Sequence, residues 1–278
     1  MVILRYVIFQ RQALQGSHKC AIRAMSSVKT VNIEEIDSSK LDAQAMLQSL
    51  QPFVTSKQPV ILRQALNGSP ALTQWKDWDY LEKSVGNSPC QVEIGGTSYT
   101  NAQVSEIWWH DYLAYLRLFE ERHGRYGGSP TRDELVYLAQ NDLRPELRKD
   151  FEIPSFVTGL GDGKLYNIMM WIGPYGCRSP LHFDPLDNFL MQFVGKKKVL
   201  LLPPDADVYA GSHGSQKNTS PFDFEQDNLD FTAYPRLAQL PPAVVGTLTE
   251  SDILYIPKEW WHQIRTTETS ISVNAWWR

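Results

Sequence analysis

From Tyr166 onward the chain consists of short apolar runs cut by turn residues, and this spacing restricts the second half to a β-rich architecture. The runs predict strands at Tyr166–Ile172, Ser179–Asp184, Asn188–Val194, Lys197–Leu202, Ala243–Leu248, Asp252–Ile256, His262–Thr267 and Ile271–Trp276. So many strands at this spacing predict a sandwich or barrel of the jelly-roll kind. The stretch from Pro203 to Pro242 interrupts them and, rich in Asp, Pro and Gly, reads as an ordered surface loop. The first half has a different texture. Helical spacing appears over residues 41–50, from Trp75 to Val85, and from Val104 to Glu121. Short strands are expected at Pro59–Leu62 and Gln91–Ile94. The expected organisation is a mostly helical part over 31–150 and a β core over 151–278, together one domain, behind a separate segment 1–30.

That segment carries Arg5, Arg11, Lys19, Arg23 and Lys29, while residues 1–33 hold no Asp or Glu. It reads as a mitochondrial transit peptide, as a disordered basic tail, or as sequence upstream of a true start at Met25. The net charge of the whole chain is −4. Without those five cations, 22 basic residues face 31 acidic ones, so the folded part is clearly acidic. Duplex nucleic acid is therefore a poor partner and a cationic substrate a better one. Cys20, Cys90 and Cys177 are odd in number and widely spaced, which speaks against a disulfide scaffold and for a reducing compartment. No apolar run is long enough to span a membrane. An intracellular protein is expected, nuclear or cytoplasmic, with the mitochondrion open if residues 1–24 are a transit peptide.

Chemistry concentrates at Ser179-Pro180-Leu181-His182-Phe183-Asp184. Residues two apart on a strand point the same way, so His182 and Asp184 can aim an imidazole and a carboxylate at one point. His262 offers a third ligand, set after Ile256-Pro257-Lys258-Glu259-Trp260-Trp261. Two His and one carboxylate on one face of an octahedron leave half the coordination sphere open, the arrangement of non-haem Fe(II) oxygenases. A His-Asp pair alone is more often a surface hydrogen bond. Here apolar strands deliver the polar groups, and burying ionisable groups without a partner is costly. His18, His110, His123 and His213 lack that setting.

Beyond the triad, Tyr137-Leu138-Ala139-Gln140, Trp171-Ile172-Gly173-Pro174, the run Ser179 to Lys197, Ile256 to His262 and Ser272 to Trp277 resemble the JmjC-domain, cupin-like oxygenases, most of all the Jumonji domain-containing protein 5 group. Weaker matches lie at Pro59–Leu62 and Val92–Gly95. The resemblance implies a double-stranded β-helix, Fe(II) at His182, Asp184 and His262, and 2-oxoglutarate held by Tyr137, Ser179, Asn188 and Lys197, with O₂ as the other cosubstrate. It also implies a substrate pocket for a cationic side chain lined by Glu93, Tyr99 and Trp171. Taken alone, Lys197 sits in a charge run typical of a solvated turn, Asn188 passes for a turn residue, and Glu93 for a surface acid at a strand end. The chain departs from the family at Gly95–Ser98, one residue longer, at Val104, where a tryptophan is usual, and at Thr249-Glu250-Ser251-Asp252, where Pro-Gly-Asp is common. One of Trp276 and Trp277 should close the pocket and the other pack the core.

The expected reaction is hydroxylation of an aliphatic C–H, first of an arginine side chain in a protein. N-methyl-lysine demethylation and hydroxylation of a tRNA nucleoside are rivals within the class, and a non-catalytic interaction module or a cupin isomerase lies outside it.

Overall fold

In a computed structural model the chain is described over residues 28–95, 103–160, 163–211, 217–224 and 229–277. Residues 1–27 of the basic segment and Tyr99 lie outside these residues, whereas Lys29 and Thr30 lie inside them, the Lys29 carbonyl accepting from the Ala243 amide at 2.8 Å and Thr30 opening the first strand, so the folded part begins before residue 31. Strands β1 (Thr30–Asn32) and β2 (Glu34–Asp37) are followed by helix α1 (Ala43–Ser56), which starts where Asp42 accepts a hydrogen bond from the Ala45 amide at 2.8 Å. Then come β3 (Val60–Arg63), α2 (Ala71–Gln74), α3 (Trp78–Val85), β4 (Pro89–Ile94), β5 (Gln103–Trp108) and α4 (Trp109–His123). Next are β6 (Val136–Asp142), α5 (Ser155–Thr158), β7 (Leu165–Gly173), β8 (Asp187–Leu202), β9 (Ala243–Leu248), β10 (Ile253–Ile256) and β11 (Trp261–Trp277).

The fold is mainly β, as expected, with every α-helix of the described residues placed before β7. Four of the expected strands fuse into two. β8 runs unbroken through both Asn188–Val194 and Lys197–Leu202, and β11 through both His262–Thr267 and Ile271–Trp276. They pair antiparallel along their whole length, with register shifts between Thr266 and Ser272 where both strands bend. Two arms diverge from this bend. In one, Asn188–Met191 pairs with β10 and Ser270–Trp277 with β7, extending through β6 and β4 to β5. In the other, Lys197–Leu201 pairs with β9 and the His262 end of β11 faces the segment 178–184.

Alternation along β8 distributes its side chains between three layers. Phe189 and Phe193 face the helices, where Phe193 meets Trp75 at 4.8 Å between ring centroids and Phe189 meets Phe156 at 6.3 Å. Leu190, Val199 and Leu201 meet Leu254 and Ile256 in a core between the arms. Leu200 and Leu202 turn outward and pack with Leu181, Trp261 and Ala206, Val208, Phe224 and Leu237 of the 203–242 excursion. That excursion thus covers the outer face of the second arm.

Three local readings need correction. Trp75 to Val85 is not one helix: Trp75 ends α2, and α3 begins anew behind Asp77, whose carboxylate caps the Asp79 amide at 2.9 Å. Val104 to Glu121 divides at Trp108, because residues 103–108 pair with β4 and alternate in exposure before the helix starts. Ser179 to Asp184 is not a regular strand: isolated bridges at Arg178 and His182 and the Ser179 hydroxyl, which accepts from the Ile264 amide, join this segment to β11. The expected Asp252 turn is present. Its carboxylate accepts from the Thr249 amide and hydroxyl at 2.9 and 2.8 Å and ion-pairs with Arg63.

Candidate active site

His182 and His262 exchange both backbone hydrogen bonds, 3.1 Å from the His182 amide and 2.7 Å from the His262 amide. Their rings therefore stand side by side, 4.2 Å between centroids. Each ring is held in the same way. Nδ1 of His182 lies 2.8 Å from the Pro180 carbonyl, and Nδ1 of His262 lies 2.9 Å from the Trp260 carbonyl, both two residues back. A carbonyl only accepts, so Nδ1 is the N–H and the neutral ring presents its Nε2 lone pair. Burial, with His262 adjacent, holds the pKa of His182 below the ordinary imidazole range and so keeps it neutral.

Asp184 completes the group. Its backbone carbonyl accepts from the Glu259 amide at 2.8 Å, and its Oδ2 accepts from Trp276 Nε1 at 3.0 Å while lying 3.7 Å from His262 Nε2. One ligand atom from each of His182, Asp184 and His262 falls within 4.8 Å of the others. Neutral imidazoles with second-atom partners and an anchored carboxylate fit a divalent ion of the iron type, and the arrangement is consistent with the Fe(II) site of JmjC enzymes.

These three line part of a pocket that opens to solvent. Tyr137, Trp171, Ser179, Asn188 and Lys197, all named from the sequence, line the rest with Leu190, Ile264, Asn274 and Trp276. Lys197 is 2 % exposed between exposed Lys196 and Lys198, so strand alternation settles the charge run in favour of an inward ammonium. Its Nζ donates to Tyr137 Oη at 3.2 Å, and no carboxylate ion-pairs with it among the described residues. Burial draws its pKa down to about 7. Ser179 Oγ accepts from the Ile264 amide at 3.1 Å, which leaves the hydroxyl hydrogen to donate. The pocket is thus rich in donors around a cation without a carboxylate partner among the described residues, a fit for a carboxylate ligand.

Glu93 is not among the lining residues. It lies opposite Tyr137 across the β4–β6 ladder and opposite Val104 on the β5 side. Its Oε2 is buried without a hydrogen-bond partner, and burial pushes the carboxyl up to about 7. Of the two terminal tryptophans, Trp276 lines the cavity, while Trp277 stacks on Phe189 at 5.8 Å and 13°. Asn274 was missed from the sequence, although its place two residues before Trp276 on one strand face is a signal that could have found it.

The cupin-like domain model matches residues 46–278. The chain is 36% identical over 233 residues to the lysine-specific demethylase JMJ30 of Arabidopsis thaliana, covering 82% of this chain and 52% of that protein. It is 32% identical over 250 residues to the Jumonji C domain-containing protein 5 of Drosophila melanogaster, covering 87% and 60%. It is also 34% identical over 231 residues to the lysine-specific demethylase 8 of Danio rerio, covering 81% and 54%. The chain spans between about half and three fifths of the length of these relatives. A match over most of the chain, two arms of β-strand and an HxD…H group between them make this chain a member of the cupin-like family of JmjC-domain proteins.

Proposed function

We propose that the protein is an Fe(II)- and 2-oxoglutarate-dependent oxygenase that hydroxylates an aliphatic C–H of a cationic side chain in a protein, arginine first. The observation that carries this reading is the ammonium of Lys197, buried without a carboxylate partner among the described residues in the pocket that His182, Asp184 and His262 also line. In this reading the two imidazole Nε2 atoms and the Asp184 carboxylate hold the metal. Lys197, Tyr137, Ser179 and Asn188 hold the diacid. Iron bound with 2-oxoglutarate and O₂ supplies the oxidation, converting R–H, O₂ and the oxoacid to R–OH, succinate and CO₂.

The chain's own residues do the positioning. The Pro180 and Trp260 carbonyls keep both Nε2 lone pairs inward, and Trp276 keeps the Asp184 carboxylate turned toward His262. Lys197 sets the depth and direction of the bound diacid by a charge-assisted contact. The unpartnered Glu93 carboxylate supports the cationic substrate, because a guanidinium meeting it restores its charge and satisfies its buried oxygen.

Purified protein given Fe(II), O₂ and 2-oxoglutarate is expected to form succinate without added substrate, and Asp184→Ala to abolish it. Equal turnover by both proteins would refute the assignment. Peptides bearing Arg or N-methyl-Lys then divide the finer readings by mass. A gain of about 16 Da marks a stable hydroxylation, and a loss of about 14 Da marks demethylation, the activity that two of the relatives are named for.

A further inference from the structure

We infer that Asn274 is a positioning residue: it fixes the amide of Asn188 so that its NH₂ group, and not its oxygen, faces the diacid. This rests on the 2-oxoglutarate reading above and adds to it a residue that touches neither the metal nor the reacting carbon.

Donor and acceptor roles decide the orientation. Trp171 is buried, and its indole N–H can only donate. It lies 2.8 Å from the side-chain oxygen of Asn274. The Asn274 amide is therefore not free to rotate end for end, since the reverse orientation would set N–H₂ against N–H. With its oxygen committed, Asn274 turns its own NH₂ toward Asn188, whose Oδ1 lies 3.3 Å away. An NH₂ group demands an acceptor, so Asn188 must present its oxygen there. The Asn188 NH₂ is what remains, and it has no protein partner among the described residues. A rigid donor at one end of the relay thus decides the polarity at the other.

Backbone register supports the relay. Asn274 stands opposite Leu190 on β8, and Asn188 stands opposite Trp276, so Asn188 and Asn274 are diagonal neighbours on one inward face. Both are 5 % exposed or less, so no bulk water is present to satisfy a misoriented amide cheaply. Without Asn274, the Asn188 amide has no reason to prefer one orientation, and in half of its states an oxygen meets the carboxylate.

The test measures 2-oxoglutarate affinity by calorimetry on the full chain loaded with Mn(II), without O₂. Asn274→Asp still accepts from Trp171 but cannot donate, so Asn188 should flip to donate to it and turn its oxygen inward. The dissociation constant is expected to rise about tenfold or more. Asn274→Ala, which adds no charge, should raise it about threefold. Mn(II) affinity, titrated separately, should be unchanged in both.

The same substitutions are then made in an Asn188→Ala background. If Asn274 works through Asn188, their effects vanish there; a general repulsion or packing defect would persist. Wild-type affinity in both single variants, or full losses in the Asn188→Ala background, overturns the inference. If Asn274→Asp does not fold, Asn274→Ala and its double variant decide alone. Failure of the unaltered protein to bind 2-oxoglutarate would instead remove the oxygenase reading, so the two failures are distinguishable.

Discussion

Lys197 carries an ammonium into a space that offers it no carboxylate, and this gives it a distinctive pH response. Burial lowers its pKa from the usual 10.5 to about 7. Between those values the unfolded chain binds the extra proton, so this residue makes the ligand-free protein more stable as pH rises from 7 toward 10.5. In the proposed reading a bound dianion would restore the charged form, so binding above pH 7 should draw in a proton and weaken by up to about tenfold per pH unit. Calorimetry at pH 8 in two buffers of different ionisation enthalpy should show close to one proton taken up in the unaltered protein and none in Lys197→Met. Zero uptake in the unaltered protein would refute the assignment of Lys197 to the diacid. At this scale the metal group was legible, because His182 and Asp184 carry their two-residue spacing even on an irregular path. The parity of Trp276 and Trp277 was not, because register shifts along β11 change which residues face inward.

The bend shared by β8 and β11 is the element on which the site depends, since it sends Asn188 and Lys197 up opposite arms of one strand. Gly195 makes it possible. Its φ is +71°, and a Cβ there would lie 2.1 Å from the Thr269 carbonyl oxygen. Gly195→Ala should therefore cost more than about 3 kcal/mol, from left-handed backbone plus a clash with main chain. Gly68, at φ +87° with nothing within 4 Å of an added methyl group, isolates the backbone part. Gly68→Ala should cost about 1 kcal/mol. Urea unfolding of the two variants checks the difference, and equal losses would show that the bend tolerates a side chain. The apolar runs of both long strands were readable, but their continuity was not: Gly195 and Thr267–Thr269 look like turns until pairing across the bend joins the arms. The strand inside Val104 to Glu121 was hidden for a similar reason, since its order comes from β4 rather than from its own propensity.

Across the molecule, the acidic folded part and the half-buried Glu93 both favour a cationic partner. Attraction over the surface is screened beyond about 10 Å at 0.1 M salt. The KM for an Arg-bearing peptide should then rise with ionic strength while kcat holds, and Glu93→Gln should raise KM at every salt concentration without changing substrate-free succinate formation. A KM indifferent to both would exclude Glu93 from recognition. No helix among the described residues is long and apolar enough to cross a membrane. The reciprocal main-chain bonds between His182 and His262 have a consequence for toxicology. Imidazoles held side by side by this two-bond bridge have little room to adjust to one ion, so a metal bound there should follow the intrinsic order of divalent affinity, in which cobalt and nickel outrank iron. In the proposed reading, exposure to either metal should displace the iron and stop succinate formation without unfolding the protein.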